Sequence, residues 1–301
     1  MRLMFAHLAL GFTGYQMGEL LLARHHIETA LSFYDGERAL AFRLAGTDSK
    51  VMCLSYLAFT LWTLGYPDQA LQKINEAIGW AQALSHLFSL VFAESFAGFL
   101  YLYRREAAAA QEYGEAVIAL STEHGLTEFF DLATFICGAA MAGQGRDEEG
   151  AAQMHHVCGA SGIALRRPTL PIWLAEAYMQ GDRFDDGLRA LAEAVTIGEE
   201  HENRQDEPEK HRIKGELLLR QNHSYVAEAQ NCYQHAIEIA RQQSAKSYEL
   251  RATMSLARLL AKQERSEKAQ AMLAEIYNWF TEGFDTADLK DAKALLDELS
   301  G

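Results

Sequence analysis

The organisation of this 301-residue chain is visible in residues 58–77, which read AFTLWTLGYPDQALQKINEA. Two small residues, Ala58 and Ala70, stand twelve positions apart, and the breaker Gly65-Tyr66-Pro67-Asp68 lies between them. Glycine can adopt the left-handed end of a helix, and aspartate can cap the helix that follows. Apolar residues then return at helical spacing, beginning with Ile74. The stretch therefore predicts two antiparallel helices that cross where side chains are small.

The same pattern recurs along the chain every 37 to 47 residues. A second small residue follows the first after twelve positions, except in the sixth unit, where the distance is fourteen. Because one hairpin cannot bury its apolar face alone, the pattern predicts an all-α, right-handed α-solenoid of about seven helix hairpins. The paired positions are Gly11/Ala23, Ala58/Ala70, Gly98/Ala110, Gly138/Gly150, Ala175/Gly187, Gly215/Ala229 and Ala257/Ala269.

Domain boundaries follow from the same register. We place the solenoid at residues 1–285 and a C-terminal capping helix at residues 286–300, where Asp285 and Thr286 offer an N-cap. The N-terminus has no equivalent cap, so we expect an exposed apolar end there, through which the chain could self-associate. The seven units are placed near residues 4–37, 51–84, 91–124, 131–164, 168–201, 208–243 and 250–283.

Composition narrows the class of protein. A hydrophobic content of 49% is ample for a core, and a net charge of −14 argues against duplex nucleic acid or an anionic membrane as partner. The most apolar segment, residues 87–103, contains Glu94 and is short for a membrane span, so it indicates a buried helix. The four cysteines form no CxxC pair, and no clean signal-peptide cleavage site follows Met1. These features favour a cytoplasmic protein with reduced thiols.

Specific strings carry a resemblance to a known family. Small positions twelve apart, followed three residues later by an apolar or aromatic side chain, resemble the tetratricopeptide repeat. The average period near 40 resembles its long-helix variety, found in bacterial signalling ATPases and in the sensor domain of the maltose-regulon activator. Over nearly all of its length the chain resembles the C-terminal repeat region of bacterial proteins that join a class III adenylate-cyclase domain to an AAA-like ATPase. The strings are residues 65–71 (GYPDQAL), 118–123 (IALSTE), 214–219 (KGELLL) and 280–290 (FTEGFDTADLK).

The chain also departs from that family. Residues 45–50 read AGTDSK where the family has an aromatic-Gly-Gln-Asp-Pro-Gly loop, and Gln205-Asp206 replaces an aromatic pair before the sixth unit. We therefore expect that a ligand read by those loops is not bound here. The cyclase and ATPase portions are absent from the sequence, and Met1 falls inside the first helix. The resemblance implies a detached or truncated C-terminal part of such a protein.

A search for catalytic motifs returns no P-loop, dinucleotide fingerprint, nucleophile elbow or His-Glu-x-x-His string. His25-His26 and His155-His156 are adjacent pairs whose side chains point about 100° apart on a helix, so neither pair can chelate one ion from one face. His155, Cys137 and Cys158 could converge, but both cysteines fall at positions that normally pack. We predict no catalytic residue, no cofactor and no metal site, and hence no enzyme.

Binding candidates come from the resemblance, which implies that the first helix of each hairpin lines a concave groove. Aromatic anchors and arginines suit an amphipathic partner with an acidic end. The aromatics could equally fill the core between units, which we favour, whereas the charged cluster should face solvent because unpaired burial is costly. The aromatic candidates are Phe12, Phe59, Trp62, Phe99 and Tyr103, and the charged candidates are Arg212, Glu216, Arg220, Arg251, Arg258 and Lys262.

Two functions remain open from the sequence. The first is a non-catalytic protein-interaction or regulatory scaffold that accepts a protein or peptide segment. The second is a small-molecule effector sensor, similar to the domain of the maltose-regulon activator. An open, extended groove would indicate a scaffold, and one deep pocket with convergent polar groups would indicate a sensor.

Overall fold

The structure, a computed structural model, describes residues 2–35, 46–160 and 168–300. Within these ranges the chain forms fifteen α-helices and no β-strand, which confirms the all-α solenoid. Seven successive helix pairs, here called units 1 to 7, are followed by one terminal helix. The helices are α1 (Arg2–Gln16), α2 (Leu20–Ser32), α3 (Ser49–Leu64), α4 (Pro67–Ala83), α5 (Leu87–Tyr103), α6 (Ala107–His124), α7 (Thr127–Gly143), α8 (Asp147–Ala160), α9 (Thr169–Gln180), α10 (Phe184–Glu200), α11 (Glu207–Gln221), α12 (Val226–Gln243), α13 (Lys246–Lys262), α14 (Ser266–Tyr277) and α15 (Ala287–Ser300).

Small residues do mark the helix crossings. A Cβ atom added to Gly150 would collide with the backbone oxygen of Gly138, its partner twelve positions earlier. A Cβ on Gly187 would lie 3.3 Å from the carbonyl oxygen of Ala175. Larger side chains at these positions would push the paired helices apart, so the two-helix unit depends on them.

Two units differ in detail from the predicted register. In unit 6 a Cβ on Gly215 would lie 2.6 Å from the ring of Tyr233, so the glycine makes room for an aromatic side chain. The extra residues of this unit lie beside a one-turn 3₁₀ helix, His223–Tyr225. In unit 3 the close neighbours of Gly98 are Ile136 and Tyr113. The spacing therefore locates the crossing, but the residue that fills it varies.

Several helices begin before the predicted units because capping side chains set their ends. The carboxylate of Asp48 accepts hydrogen bonds from the backbone N–H groups of Lys50 and Val51, so α3 starts at Ser49. The imidazole of His86 likewise accepts from the N–H of Ser89 at the start of α5. Small-residue spacing carries no information about these caps.

The first and last units of the solenoid are in contact with each other across the concave groove that the resemblance implied. The backbone N–H groups of Arg204 and Gln205 donate to the carbonyl oxygen of Gln16 at 2.7 and 3.1 Å. The hydroxyl of Ser247 donates to the carbonyl oxygen of Trp62 at 2.5 Å. These bonds join units 1 and 2 to units 6 and 7 across the central groove.

A second closing contact lies at the start of α4. Glu282 Oε1 accepts from the backbone N–H groups of Asp68 and Gln69 at 2.9 and 3.0 Å. In return Asp68 accepts from the N–H of Gly283 at 3.0 Å. A carboxylate from the C-terminal end thus caps a helix of unit 2, where the helix dipole favours negative charge.

The aromatic candidates lie in the core of the N-terminal half. Phe59, Trp62, Phe99 and Tyr103 are buried, and Phe12 is half-buried against Tyr56. Ring centroids of Trp62 and Tyr103 are 4.5 Å apart in a stacked pair. This arrangement agrees with the interpretation that these side chains fill the space between units.

The two ends of the solenoid differ in exposure. Helix α15 buries Leu289, Ala292 and Leu295, as expected of a capping helix. At the other end the outer face of α1 and α2 exposes apolar side chains, namely Leu3, Leu10, Leu21 and Leu22. None of the described helices is both long and apolar enough to cross a membrane.

Candidate ligand-binding cavity

A cavity of about 560 Å³ lies inside the closed solenoid. It opens beside unit 4, where Ala139, Ala142 and Gly143 line the wall. The same register positions hold Phe59 and Trp62 in unit 2, where aromatic rings fill the centre. Side-chain size at these positions therefore decides whether the centre is filled or open.

One wall of the cavity is apolar. Trp173, half-buried on α9, has its ring centroid 5.3 Å from that of Tyr103 in an edge-to-face contact. Met154, Ile172 and Met179 continue this surface. Such a wall can bury an apolar side chain of a ligand, and the polarisable methionine side chains adapt to its shape.

The opposite wall is charged, and its arginines Arg212 and Arg251 are paired. Arg212 donates to both carboxylate oxygens of Glu209 at 2.7 and 2.8 Å and reaches Glu176 at 3.3 Å. Arg251 donates to Asp288 at 2.7 Å, to Glu209 at 3.4 Å and to the carbonyl oxygen of Tyr103 at 2.6 Å. Only 12% of each arginine side chain is exposed.

The expectation that the whole charged cluster faces solvent is therefore wrong for Arg212 and Arg251. Glu209 on the same helix and Glu176 on α9 supply carboxylates to Arg212, and Asp288 and Glu209 supply them to Arg251, so these charges are buried as pairs. Burial opposes the charged form of Arg212, yet the adjacent Glu209 raises the pKa of the guanidinium well above its ordinary value. Burial likewise opposes ionisation of Glu209, but Arg212 and Arg251 hold its pKa below the usual range.

Asp206 is a cavity residue that the sequence did not indicate. Its carboxylate accepts hydrogen bonds from the hydroxyls of Tyr248 and Thr169, both at 2.5 Å, and from the amide of Gln205 at 3.1 Å. Burial raises the pKa of Asp206, and these donors partly oppose the rise. The sequence treated Gln205-Asp206 as the loss of a ligand contact, whereas the folded chain places Asp206 on the cavity wall.

Other charged candidates carry no ion pair within the described ranges. Arg220 and Arg258 are exposed at the cavity, and the guanidinium of Arg220 donates only to the carbonyl oxygen of Met179 at 3.4 Å. Glu216 accepts from the hydroxyl of Ser255 at 2.6 Å. Arginines without a carboxylate partner are available to an anionic group.

The structure thus brings together only part of the candidate set. Tyr103, Arg212, Glu216, Arg220, Arg251 and Arg258 line the cavity; Phe12, Phe59, Trp62, Phe99 and Lys262 do not.

One signal in the sequence could have located the cavity. Positions one, four and five after the first small residue read Ala139, Ala142 and Gly143 in unit 4. In unit 6 the first and last of these positions are Glu216 and Arg220. A change from aromatic to small to charged at fixed register positions marks the transition from filled core to open cavity. Asp206 lies before α11, outside these register positions, so the periodic pattern does not indicate that it reaches the cavity.

Cys137 and Cys158 are held in the protonated thiol form by burial. Burial raises the pKa of Cys137 to about 11 and that of Cys158 to about 12, which keeps both as thiols. His155 lies 3.0 Å from the hydroxyl of Tyr178. In the part of the chain that the structure describes, no three His, Cys, Asp or Glu side chains are grouped as a metal site.

Comparison with known proteins shows the fold. No family model matches the chain, and no curated protein matches its sequence. A Rap conjugation gene regulator of the plasmid pLS20, solved in complex with the Phr* peptide, superposes with a TM-score of 0.65 at 9% identity, over 99% of this chain and 74% of that one. A Rap protein complexed with competence and sporulation factor gives 0.58 at 10% identity, over 99% and 97%.

A tetratricopeptide repeat protein from Parabacteroides merdae gives a TM-score of 0.51 at 12% identity, with both chains covered completely. At these identities the likeness shows the fold alone, and that fold is a solenoid of the tetratricopeptide type. The finer resemblance to cyclase–ATPase proteins stays a prediction.

Proposed function

We propose that this protein is a non-catalytic receptor that holds a peptide segment of a partner protein in its central cavity. The observation that carries the proposal is a central cavity with an apolar wall at Trp173 and two exposed arginines, Arg220 and Arg258, to which the described residues offer no carboxylate partner. The segment would be amphipathic and end in an acidic group.

Each wall supplies one part of the binding energy. An apolar side chain of the segment would pack on the half-buried ring of Trp173, where a desolvated aromatic contact contributes strongly to affinity. A carboxylate of the segment would pair with Arg220 and Arg258 through charge-assisted hydrogen bonds. Arg212 would act through its field and not as a free donor, because it already donates to both carboxylate oxygens of Glu209.

A peptide is favoured over a flat protein surface because the solenoid is closed. A structure that superposes over almost the whole chain holds the Phr* peptide. A short peptide segment can enter a cavity of about 560 Å³, whereas a globular partner could contact only the outside.

A small-molecule effector is the second candidate. One cavity of about 560 Å³ with convergent polar groups is the feature expected of a sensor, and it lies within the size range of small-molecule sites. A sensor would bind a metabolite with similar apolar and anionic parts. The two candidates differ in ligand size and not in the residues that would bind it.

The test is selection of peptides from a displayed random library on the native protein, followed by titration of the enriched peptides. Arg220→Glu with Arg258→Glu should weaken binding at least about tenfold, because two attractive contacts become repulsive. Lys262→Glu is the matched control, since Lys262 is an exposed cation outside the cavity. The double variant should unfold at nearly the native temperature. Arg212 is unsuitable for this test, because its removal would leave the buried carboxylate of Glu209 without its main partner and would destabilise the fold.

Equal binding by the native protein and the double variant would rule out the cavity as the peptide site. A thermal-shift screen of anionic metabolites addresses the second candidate. A metabolite that stabilises the native protein and the Lys262→Glu control but not the double variant, with no peptide enriched, would establish the sensor instead.

The wider context belongs to the same proposal. We place the protein in the cytoplasm, as part of a cyclase–ATPase type of signalling system in which occupancy of the cavity regulates an ATPase. Self-association through the apolar outer face of α1 and α2 is also proposed, and the exposure of Leu10, Leu21 and Leu22 supports it.

A further inference from the structure

The capping helix contributes charged residues to the cavity. Arg105, just after α5, donates to Asp288 at 3.2 Å and to Asp291 at 2.6 Å, both on α15. Asp288 also accepts from Arg251 at 2.7 Å. All four residues line the cavity. The contact that joins unit 3 to the capping helix is therefore part of the wall that a ligand would touch.

This ionic contact is weaker than the apolar contact that also holds α15. The apolar stripe of Leu289, Ala292 and Leu295 packs in the same core as residues of α13 and α14. The contact with Arg105 is ionic and open to water, with 49% of the Arg105 side chain and 43% of the Asp291 side chain exposed. Exposed ion pairs contribute little because water screens them and both side chains lose freedom.

Asp288 and Asp291 present to Arg105 and Arg251 the same group that an acidic ligand would present. We propose that α15 is an acidic latch: an anionic ligand in the cavity takes Arg105 and Arg251 from Asp288 and Asp291, and so loosens the closure between α5 and α15. The ligand part of this inference rests on the proposed function.

The surrounding contacts limit the movement to this latch. Arg251 keeps its hydrogen bond to the carbonyl oxygen of Tyr103 and its contact with Glu209, so the guanidinium stays in place when Asp288 leaves. Glu282 remains bonded to the start of α4, which holds the neighbouring closing contact. Helix α15 thus separates from α5 while its apolar face stays packed.

The test compares amide hydrogen exchange of α15, by mass spectrometry, in the full chain and its variants. The probe ligand is anilinonaphthalene sulfonate, which combines an apolar ring system with one anion. Asp288→Asn with Asp291→Asn removes the latch, and Asp291→Asn alone removes only its exposed half. Asp297→Asn is the matched control, because among the described residues Asp297 pairs with Lys293 on its own helix and with no residue of the cavity.

Without probe, α15 should exchange about fivefold faster in the double variant than in the native protein, with a smaller increase in Asp291→Asn. The double variant should also bind the probe about fivefold more tightly, because no internal carboxylate competes. A saturating concentration of the probe should speed amide exchange of α15 in the native protein, and it should leave the exchange of α15 in the double variant unchanged.

Exchange in both latch variants equal to that in Asp297→Asn would overturn the latch. Faster exchange without a change in probe affinity would overturn the competition between ligand and latch. The exchange measured without probe does not depend on any ligand, so failure of the proposed peptide function is distinguishable from failure of the latch.

Discussion

The two halves of the solenoid share the same helix-hairpin frame, but the centre is filled in one half and open in the other. At equivalent register positions unit 2 places Phe59 and Trp62 in the centre, whereas unit 4 places Ala139 and Ala142 there. Unit 7 places Arg258 at the same point. The difference shows that the frame sets the direction of a side chain, while its size and charge decide between a filled core and an open, charged cavity.

The largest effect on the free energy of unfolding is expected when an aromatic side chain is removed from the N-terminal half, whose centre is filled. Phe96 is 3% exposed and stacks on Phe59 and Phe92 with ring centroids 4.6 and 4.5 Å apart. Phe96→Ala should lower the free energy of unfolding by about 4 kcal/mol, because it removes buried surface and leaves a hole. Urea unfolding measures the loss.

Phe130→Ala is the control for that variant, since 40% of Phe130 is exposed. Its cost should stay within about 0.5 kcal/mol. Equal losses in the two variants would show that the central aromatics do not hold the N-terminal half together.

Two arginines of the cavity half, Arg212 and Arg258, should differ in how much their removal destabilises the fold. Arg212→Ala should cost about 3 kcal/mol, because it leaves the buried carboxylate of Glu209 with only the longer contact from Arg251. Arg258→Ala should cost no more than about 0.5 kcal/mol, since Arg258 is exposed and carries no ion pair in the described ranges. Thermal and urea unfolding of both variants check this contrast, and similar losses would contradict the assignment of paired and free charges.

The smallest effect concerns acid stability at the start of α11. Hydrogen bonding to His211 and Lys210 outweighs burial and lowers the pKa of Glu207 to about 2. Because the folded pKa lies below the unfolded value, the carboxylate stabilises the fold above about pH 4.5, and this contribution disappears as the pH falls toward 2. Glu207→Gln should cost about 1 kcal/mol at neutral pH, less than the full shift implies, since 30% of the side chain is exposed.

Urea midpoints at neutral pH and near pH 3 test this prediction, because the difference between Glu207→Gln and the native protein should shrink in acid. His235, whose imidazole lies 3.8 Å from Glu238, offers a comparison on the exposed face of α12. Glu238→Gln should leave the acid dependence almost unchanged. A constant difference between Glu207→Gln and the native protein at both pH values would mean that the ion pairs of Glu207 do not stabilise the folded chain.

Much of the fold was predictable because its signals are local. The pair Gly138 and Gly150 predicted a close crossing, and the backbones do approach there. The interpretation of the aromatic candidates as core agrees with the burial of Phe59, Trp62 and Phe99, whereas Tyr103 also lines the cavity. The hydrogen bonds from Arg204 and Gln205 to Gln16 were not predictable, because residues so distant in sequence share no periodic pattern. The cavity was predictable only in part, through the small residues of unit 4.

By itself the sequence determined the helix hairpins, their number and their stacking, because periodic small and apolar residues act between neighbours in the chain. Only the tertiary structure decided that the solenoid closes, that Asp206 reaches the cavity, and that Arg212 is occupied while Arg258 is free. The physical reason is that a buried charge is stable only beside its partner, and the partners of Arg212 include Glu176, which a different unit supplies.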